Sequence, residues 1–293
     1  MTRKTPKRPG GERKAGPPPR RPRPPAKAAA APSRADRQKP SAGAAHSAPS
    51  FRRAASDVAV LYGFHAVREA LRAGERRLLD LYVTPAAAEK LSAEIAASGV
   101  RVVETSVDDL ARRLGAGAVH QGALLEARPI PPLDLSEIAQ ESRLVLALDQ
   151  ITDPHNVGAI LRSAAAFAVD AVVTTERHAP ELSGVLAKAA SGALEHVKLA
   201  PVVNLSRALG ELRELGYLRV GLDSEGEADL SATPLSAPLV LVLGGEGKGL
   251  RRLTRENCDL VARLDMPGPI KSLNVSNACA VALALVSARL RGA

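Results

Sequence analysis

Two cysteines, Cys258 and Cys279, are all that this chain contains, and it has no tryptophan. Two thiols exclude a disulfide framework and a thiolate zinc site, and they point to a reducing compartment in which each cysteine is a small core residue. Long hydrophobic runs are missing too. The longest, around Ala278 to Val286, is too short to span a bilayer. No secretory signal pattern is visible, so a cytoplasmic protein without membrane contact is expected. The glycine-rich stretch LVLGGEGKGL (Leu241–Leu250) lacks what two familiar nucleotide loops require. A P-loop needs Ser or Thr after its lysine to reach magnesium, and Lys248 is followed by Gly249. A dinucleotide fingerprint follows the first strand of a βαβ unit, whereas this stretch lies late in the chain, and Gly245, Gly247 and Gly249 do not meet its spacing.

What is present is unevenly distributed. Residues 1–55 hold 15 Lys or Arg against two acids, a net of +13, which leaves −4 for residues 56–293 out of the chain's +9. Eleven of the 22 prolines fall in the same segment. Such a composition cannot bury enough apolar surface to offset its ordering entropy, so a disordered basic arm is expected over 1–56. That arm suits either a solvated tail or sequence-independent attraction to nucleic-acid phosphates. Its prolines oppose the amphipathic helix of a transit peptide.

Beyond the arm, apolar periodicity alternates between helix-like and strand-like pieces. Residues 58–128 predict a small α/β domain, with a helix over GFHAVREALRAG, a second over AAAEKLSAEIAASG, and a closing strand at HQGALLEAR. PIPPLD (Pro129–Asp134) interrupts every pattern and opens a linker over 129–141. From 142 to 293 strands alternate with helices, beginning with the apolar run RLVLALDQ (Arg143–Gln150), which predicts a parallel sheet covered on both faces. Ligands of such sheets bind beyond the carboxyl ends of the strands.

Three of those ends carry unusual residues. After the first, Asn156 stands where a helix cap is wanted, and Arg162 is the only charge between Val157 and Val169. A helix so apolar is expected to be buried, and a buried guanidinium needs partners or an anionic ligand. The second is the glycine stretch, with Glu246 as its one acid. Its glycines admit a ligand close to the main chain, or simply form a tight turn. The third follows Pro267–Gly268–Pro269, where Lys271, Ser272, Asn274, Ser276 and Asn277 crowd the start of an apolar helix beginning near Leu273. One such residue would suffice as a cap, so a site lined with hydrogen-bonding groups is expected.

Taken in order, DPHNVGAILRSA, LVLGGEGKGLRRLTRENCD and SLNVSNACAVAL resemble the three signature motifs of the SpoU (TrmH) branch of the SPOUT RNA 2'-O-ribose methyltransferases. LYGFHAVREAL (Leu61–Leu71) and HQGALLEA (His120–Ala127) resemble the two ends of the small substrate-binding domain carried by RlmB-type members, which methylate a guanosine of 23S rRNA. The resemblance spans roughly residues 59–291. It implies a C-terminal domain ending in a trefoil knot, a rare exception to unknotted chains. It also implies a homodimer, an RNA substrate such as 23S rRNA or its ribosomal precursor, and S-adenosylmethionine as cofactor. By the same resemblance Gly244, Leu264 and Leu273, with Leu243, Gly245, Met266 and Ser276, contact the cofactor. Asn156, Arg162, Glu246, Ser272 and Asn274 match its catalytic positions. Relatives often carry Ile-Pro-Met where this chain has Leu264, Asp265 and Met266.

Methyl transfer from a sulfonium needs no metal, and its difficulties are orientation and deprotonation of a ribose hydroxyl. Its planar guanidinium with five donors suits Arg162 to gripping phosphate and stabilising a forming alkoxide. Alternatives are a tRNA 2'-O-methyltransferase and a non-catalytic RNA-binding protein of the same fold. An NAD-dependent oxidoreductase is disfavoured by the position of its fingerprint.

Overall fold

The computed structural model describes residues 51, 57–115, 117–138, 142–177, 179–182, 184–245, 247 and 249–291. Of the basic arm expected over 1–56, only Phe51 is among them. Its ring lies 4.6 Å from that of Tyr82, with the Arg113 guanidinium 5.9 Å away. Tyr82, Leu110 and Leu124 present an apolar face that the Phe51 ring covers.

The small domain runs β1 (Ala59–Tyr62), α1 (Phe64–Ala73), β2 (Leu78–Val83), α2 (Pro85–Lys90), α3 (Ser92–Ser98), β3 (Arg101–Glu104), α4 (Val107–Leu114) and β4 (Ala123–Ala127). Its sheet has the order β1-β4-β2-β3, in which β4 is antiparallel to both neighbours and β2–β3 is parallel. Helix α1 buries Ala66, Val67, Ala70 and Leu71, the helical repeat its sequence shows, and ends at Gly74 in the left-handed conformation. The helix expected over AAAEKLSAEIAASG breaks at Leu91. That side chain is fully buried, so core packing at this point overrides continuous helix propensity.

In the expected linker, α5 (Leu135–Ile138) forms and Ile138 is buried. The large domain follows: β5 (Leu144–Asp149), α6 (Pro154–Ala166), β6 (Ala171–Thr175), α7 (Gly184–Ala190), a 3-10 turn (Ala193–Glu195), β7 (Lys198–Val202), α8 (Leu205–Glu214), β8 (Leu218–Leu222), β9 (Ala228–Asp229), β10 (Leu239–Gly244), α9 (Arg252–Glu256), β11 (Leu260–Arg263) and α10 (Val275–Arg291). The seven strands form one parallel sheet in the order β7-β6-β5-β10-β8-β11-β9. Apolar clusters cover both of its faces, so β5 and β10 are near-continuous runs of Leu, Val and Ala. Strand β10 comes late in the chain yet lies between β5 and β8, which sets the glycine stretch at the sheet's centre. The small domain packs on α7 and the 3-10 turn, where Arg76 Nε lies 2.8 Å from a Glu195 carboxylate oxygen and both side chains are almost wholly buried.

Candidate functional site

A cleft of about 690 Å³ opens beyond the carboxyl ends of the neighbouring strands β10, β8 and β11. Three segments wall it. Leu222–Glu225 follow β8, the glycine stretch follows β10, and Leu264 to Ala278 lead from β11 into α10. Of the expected cofactor positions, Leu243, Gly244, Gly245, Leu264, Met266 and Leu273 line this cleft, as do Ser272 and Asn274. Ser276 stands behind the lining, its backbone N–H (2.9 Å) and hydroxyl (2.6 Å) donating to Asn274 Oδ1.

The glycines close a tight loop. Gly249 N–H donates to Gly245 O at 3.1 Å, and a Cβ on Gly244 would lie 2.2 Å from the Gly249 carbonyl carbon. Gly249 itself has φ +60, in the left-handed region. Backbone packs on backbone here, and Gly244, Gly245, Gly247 and Gly249 form a wall of the cleft. Glu246, like Lys248, lies outside the described residues.

Two carboxylates pin this loop. Asp149, buried at the end of β5 and opposite Gly244, accepts from Arg251 N at 2.9 Å and from Arg251 Nε at 2.6 Å. Asp223, at the end of β8, accepts from Leu250 N (3.3 Å) and Glu225 N (3.0 Å), with Arg255 Nη1 3.5 Å away. Arg255 and Lys271 also line the cleft, which therefore carries charges of both signs beside the apolar Leu222, Leu243 and Val275.

On the opposite wall, Asn274 Nδ2 donates to Asn156 Oδ1 at 3.1 Å, joining residues 118 positions apart. The expectation that Asn156 caps its helix is corrected. Asp153 is the cap, accepting from His155 N at 3.0 Å with Pro154 at the first helical position, and Asn156 lies inside the first turn, buried. The expectation that Arg162 is buried is also corrected. Helix α6 packs through Val157, Gly158, Ile160, Leu161 and Ala164, while Arg162 points to solvent and does not line the cleft. An outer helix buries only one face, and small alanines make the other look apolar. Burial pushes the Cys258 and Cys279 thiols up to about 12, which fits core positions.

Among the described residues no group of three His, Cys, Asp or Glu is placed to hold a metal ion, and no helix is long and apolar enough to cross a membrane. Residues 143–284 match the SpoU rRNA Methylase family, and residues 60–133 match the RNA 2'-O ribose methyltransferase substrate binding domain. The chain is also 40% identical over 232 residues to the 23S rRNA (guanosine-2'-O-)-methyltransferase RlmB of Pseudomonas aeruginosa, covering 76% of this chain and 93% of that one. The chain belongs to the SpoU rRNA methylase family. A second RlmB, from Yersinia pestis, is 38% identical over 233 residues, covering 76% of this chain and 94% of that one. Among solved structures, a putative RNA methyltransferase of the TrmH family from Porphyromonas gingivalis superposes with a TM-score of 0.67 at 27% identity, covering 80% of this chain and 90% of that one.

Sequence reasoning on this SpoU chain missed Asp149, Asp223 and Arg255. A signal existed for the first two, since each acid closes an apolar strand, LVLALD and LRVGL followed by Asp223, at the end where a parallel sheet places its ligands. Arg255 sits among the charges of LRRLTREN, and nothing local distinguishes it from its neighbours.

Proposed function

We propose that this protein transfers the methyl group of S-adenosylmethionine to the ribose 2'-hydroxyl of a guanosine in 23S rRNA, in the cytoplasm and as a homodimer. The observation that carries the reading is the single cleft walled by the glycine loop, the end of β8 and the lead into α10. Its residues fit the cofactor. The glycine wall and leucines suit an adenosine, and Glu225, Arg255 and Lys271 offer charges complementary to the methionine ammonium and carboxylate. The trefoil knot belongs to the same reading, supported by the sharing of one cleft between the glycine loop and the Leu264–Asn274 segment.

When bound, the cofactor supplies an electrophilic methyl group on a sulfonium. The chain's own contribution is orientation and electrostatics. The Asn274–Asn156 hydrogen bond holds the Asn274 amide at the cleft, and Ser272 offers a hydroxyl beside it. Glu246, the one acid of the glycine stretch in the sequence, belongs to the same reading as a further catalytic position. Arg162 grips an RNA phosphate and stabilises the forming alkoxide, whose proton passes to a phosphate oxygen. Because it faces solvent on its own subunit, it acts at a cleft completed by a second copy. The strip Val281, Ala284 and Ala288, exposed on α10, supports such a dimer, with Val281 45% exposed. The basic arm adds attraction to RNA phosphates.

Labelled S-adenosylmethionine, 23S rRNA lacking its modifications and tRNA in parallel test the reading. A 2'-O-methyl ribose at one rRNA guanosine, mapped by resistance to alkaline cleavage, is the expected product. Transfer only to tRNA overturns the substrate, and absence of transfer to either RNA overturns the activity.

A further inference from the structure

Helix α1 and the loop before β4 enclose a second pocket, of about 600 Å³, within the range of ligand sites. Phe64, His65, Lys90, Val119, His120 and Gln121 line it, and among the described residues no carboxylate does. That lining stands out on residues 56–293, whose net charge is −4. Val119 is 59% exposed at the rim, while Phe64 is half-buried with the Arg68 guanidinium 5.3 Å from its ring centre and the His65 ring 5.7 Å away at an edge. Gln121 adopts φ +53, a left-handed backbone that side chains other than glycine rarely hold and that clusters at binding sites. Its Oε1 accepts from Phe64 N at 3.0 Å, which fixes the loop to α1 and leaves the amide nitrogen as a donor. His120 Nδ1 accepts from Gly122 N at 3.1 Å, so the neutral ring donates from Nε2.

We infer that this pocket receives an unpaired nucleobase of the RNA substrate, stacked on the exposed His65 ring, which Phe64 meets edge-on, and hydrogen-bonded by Gln121 and His120. The inference rests on the methyltransfer reading above. Rings, side-chain donors and a lysine at the rim are what recognition of single-stranded RNA uses. The pocket is also connected to the reaction centre. A Cβ on Gly63 would lie 3.6 Å from Lys188 Cγ of α7. Helix α7 in turn packs so tightly on α6 that a Cβ on Gly158 would lie 2.5 Å from Ala189 Cβ. Two packed helices thus join the pocket to Asn156, so a bound base would set the register of the strand reaching the cleft.

Full-length His65→Ala and Gln121→Gly test this, with Gln121→Gly keeping a left-handed residue acceptable. The expected result is a rise of about tenfold or more in KM for a 23S rRNA transcript, with kcat and S-adenosylmethionine Kd unchanged. Lys90→Ala, at an exposed position, serves if either variant fails to fold. Independently, a 4-thiouridine-substituted transcript is photocrosslinked to the wild-type protein and adducts are mapped by mass spectrometry. Adducts on residues 64–68 or 118–122 support the pocket even if no methyl is transferred, in which case only the methyltransfer reading falls. Absence of adducts on both segments overturns the inference whatever the methylation assay gives, and where the enzyme is active an unchanged RNA KM in all folded variants overturns it as well.

Discussion

Replacing Gly244 with alanine tests the glycine loop as the wall of the cofactor cleft. The added Cβ would stand 2.2 Å from the Gly249 carbonyl carbon, 2.4 Å from its oxygen and 2.5 Å from Leu250 N. All three are backbone atoms, so no side chain can swing aside. Overpacking of this kind costs about 1–3 kcal/mol. Opening the loop also breaks the 3.1 Å Gly249–Gly245 hydrogen bond, about 1 kcal/mol more. A total of about 2–4 kcal/mol must appear somewhere. If the loop moves and must return to bind ligand, S-adenosylmethionine Kd rises roughly 30-fold or more, since about 1.4 kcal/mol is tenfold. If the folded state holds the strain instead, Tm falls by about 2–4 °C per kcal/mol. Gly247→Ala is the control: among the described residues nothing lies within 4 Å of its Cβ, and its φ of +74 adds left-handed strain of about 1–2 kcal/mol. Titration calorimetry and thermal melts of both variants give the answer. A Gly244→Ala protein with Kd within threefold and Tm within 1 °C of wild type, both roughly the resolution of the assays, would refute the packing argument.

Asn274→Asp keeps the acceptor for Ser276 but removes the donor to Asn156, so methyl transfer is expected to drop while Tm stays near wild type; full activity would disconnect that hydrogen bond from function. The hydrogen bond from buried Arg219, foremost among several causes, holds Asp259 below its ordinary pKa, so its stabilisation is present at neutral pH and lost as pH falls through that lowered value. Asp259→Asn should therefore melt lower than wild type at pH 7, and the gap should close on acidification; a constant gap in melts run across that range would contradict the ion pair's role. Cys258 and Cys279, with thiols raised to about 12, should resist a disulfide reagent at pH 8 in the native protein and react fully once denatured; fast labelling of either in the native state would place it outside the core.

The sequence by itself determined the alternation of strands and helices, because a strand covered on both faces must be apolar throughout, as LVLALD and LVLVLG are. It determined the three strand-end motifs and most positions of the cleft wall, since glycine, proline and amide residues at strand ends are locally distinctive. Its two errors on α6 have different causes. Whether Asn156 caps a helix or lies within it depended on Asp153 taking the cap, and whether Arg162 is buried depended on which face of α6 meets the sheet. An alanine-rich helix looks apolar on every side, so the sequence does not say which face is covered. Only the tertiary structure inserted β10 between β5 and β8, thereby setting Asp149 and Asp223 on either side of the glycine loop and Asn156 against Asn274. Those contacts join residues 27 to 118 positions apart, and no local propensity encodes them.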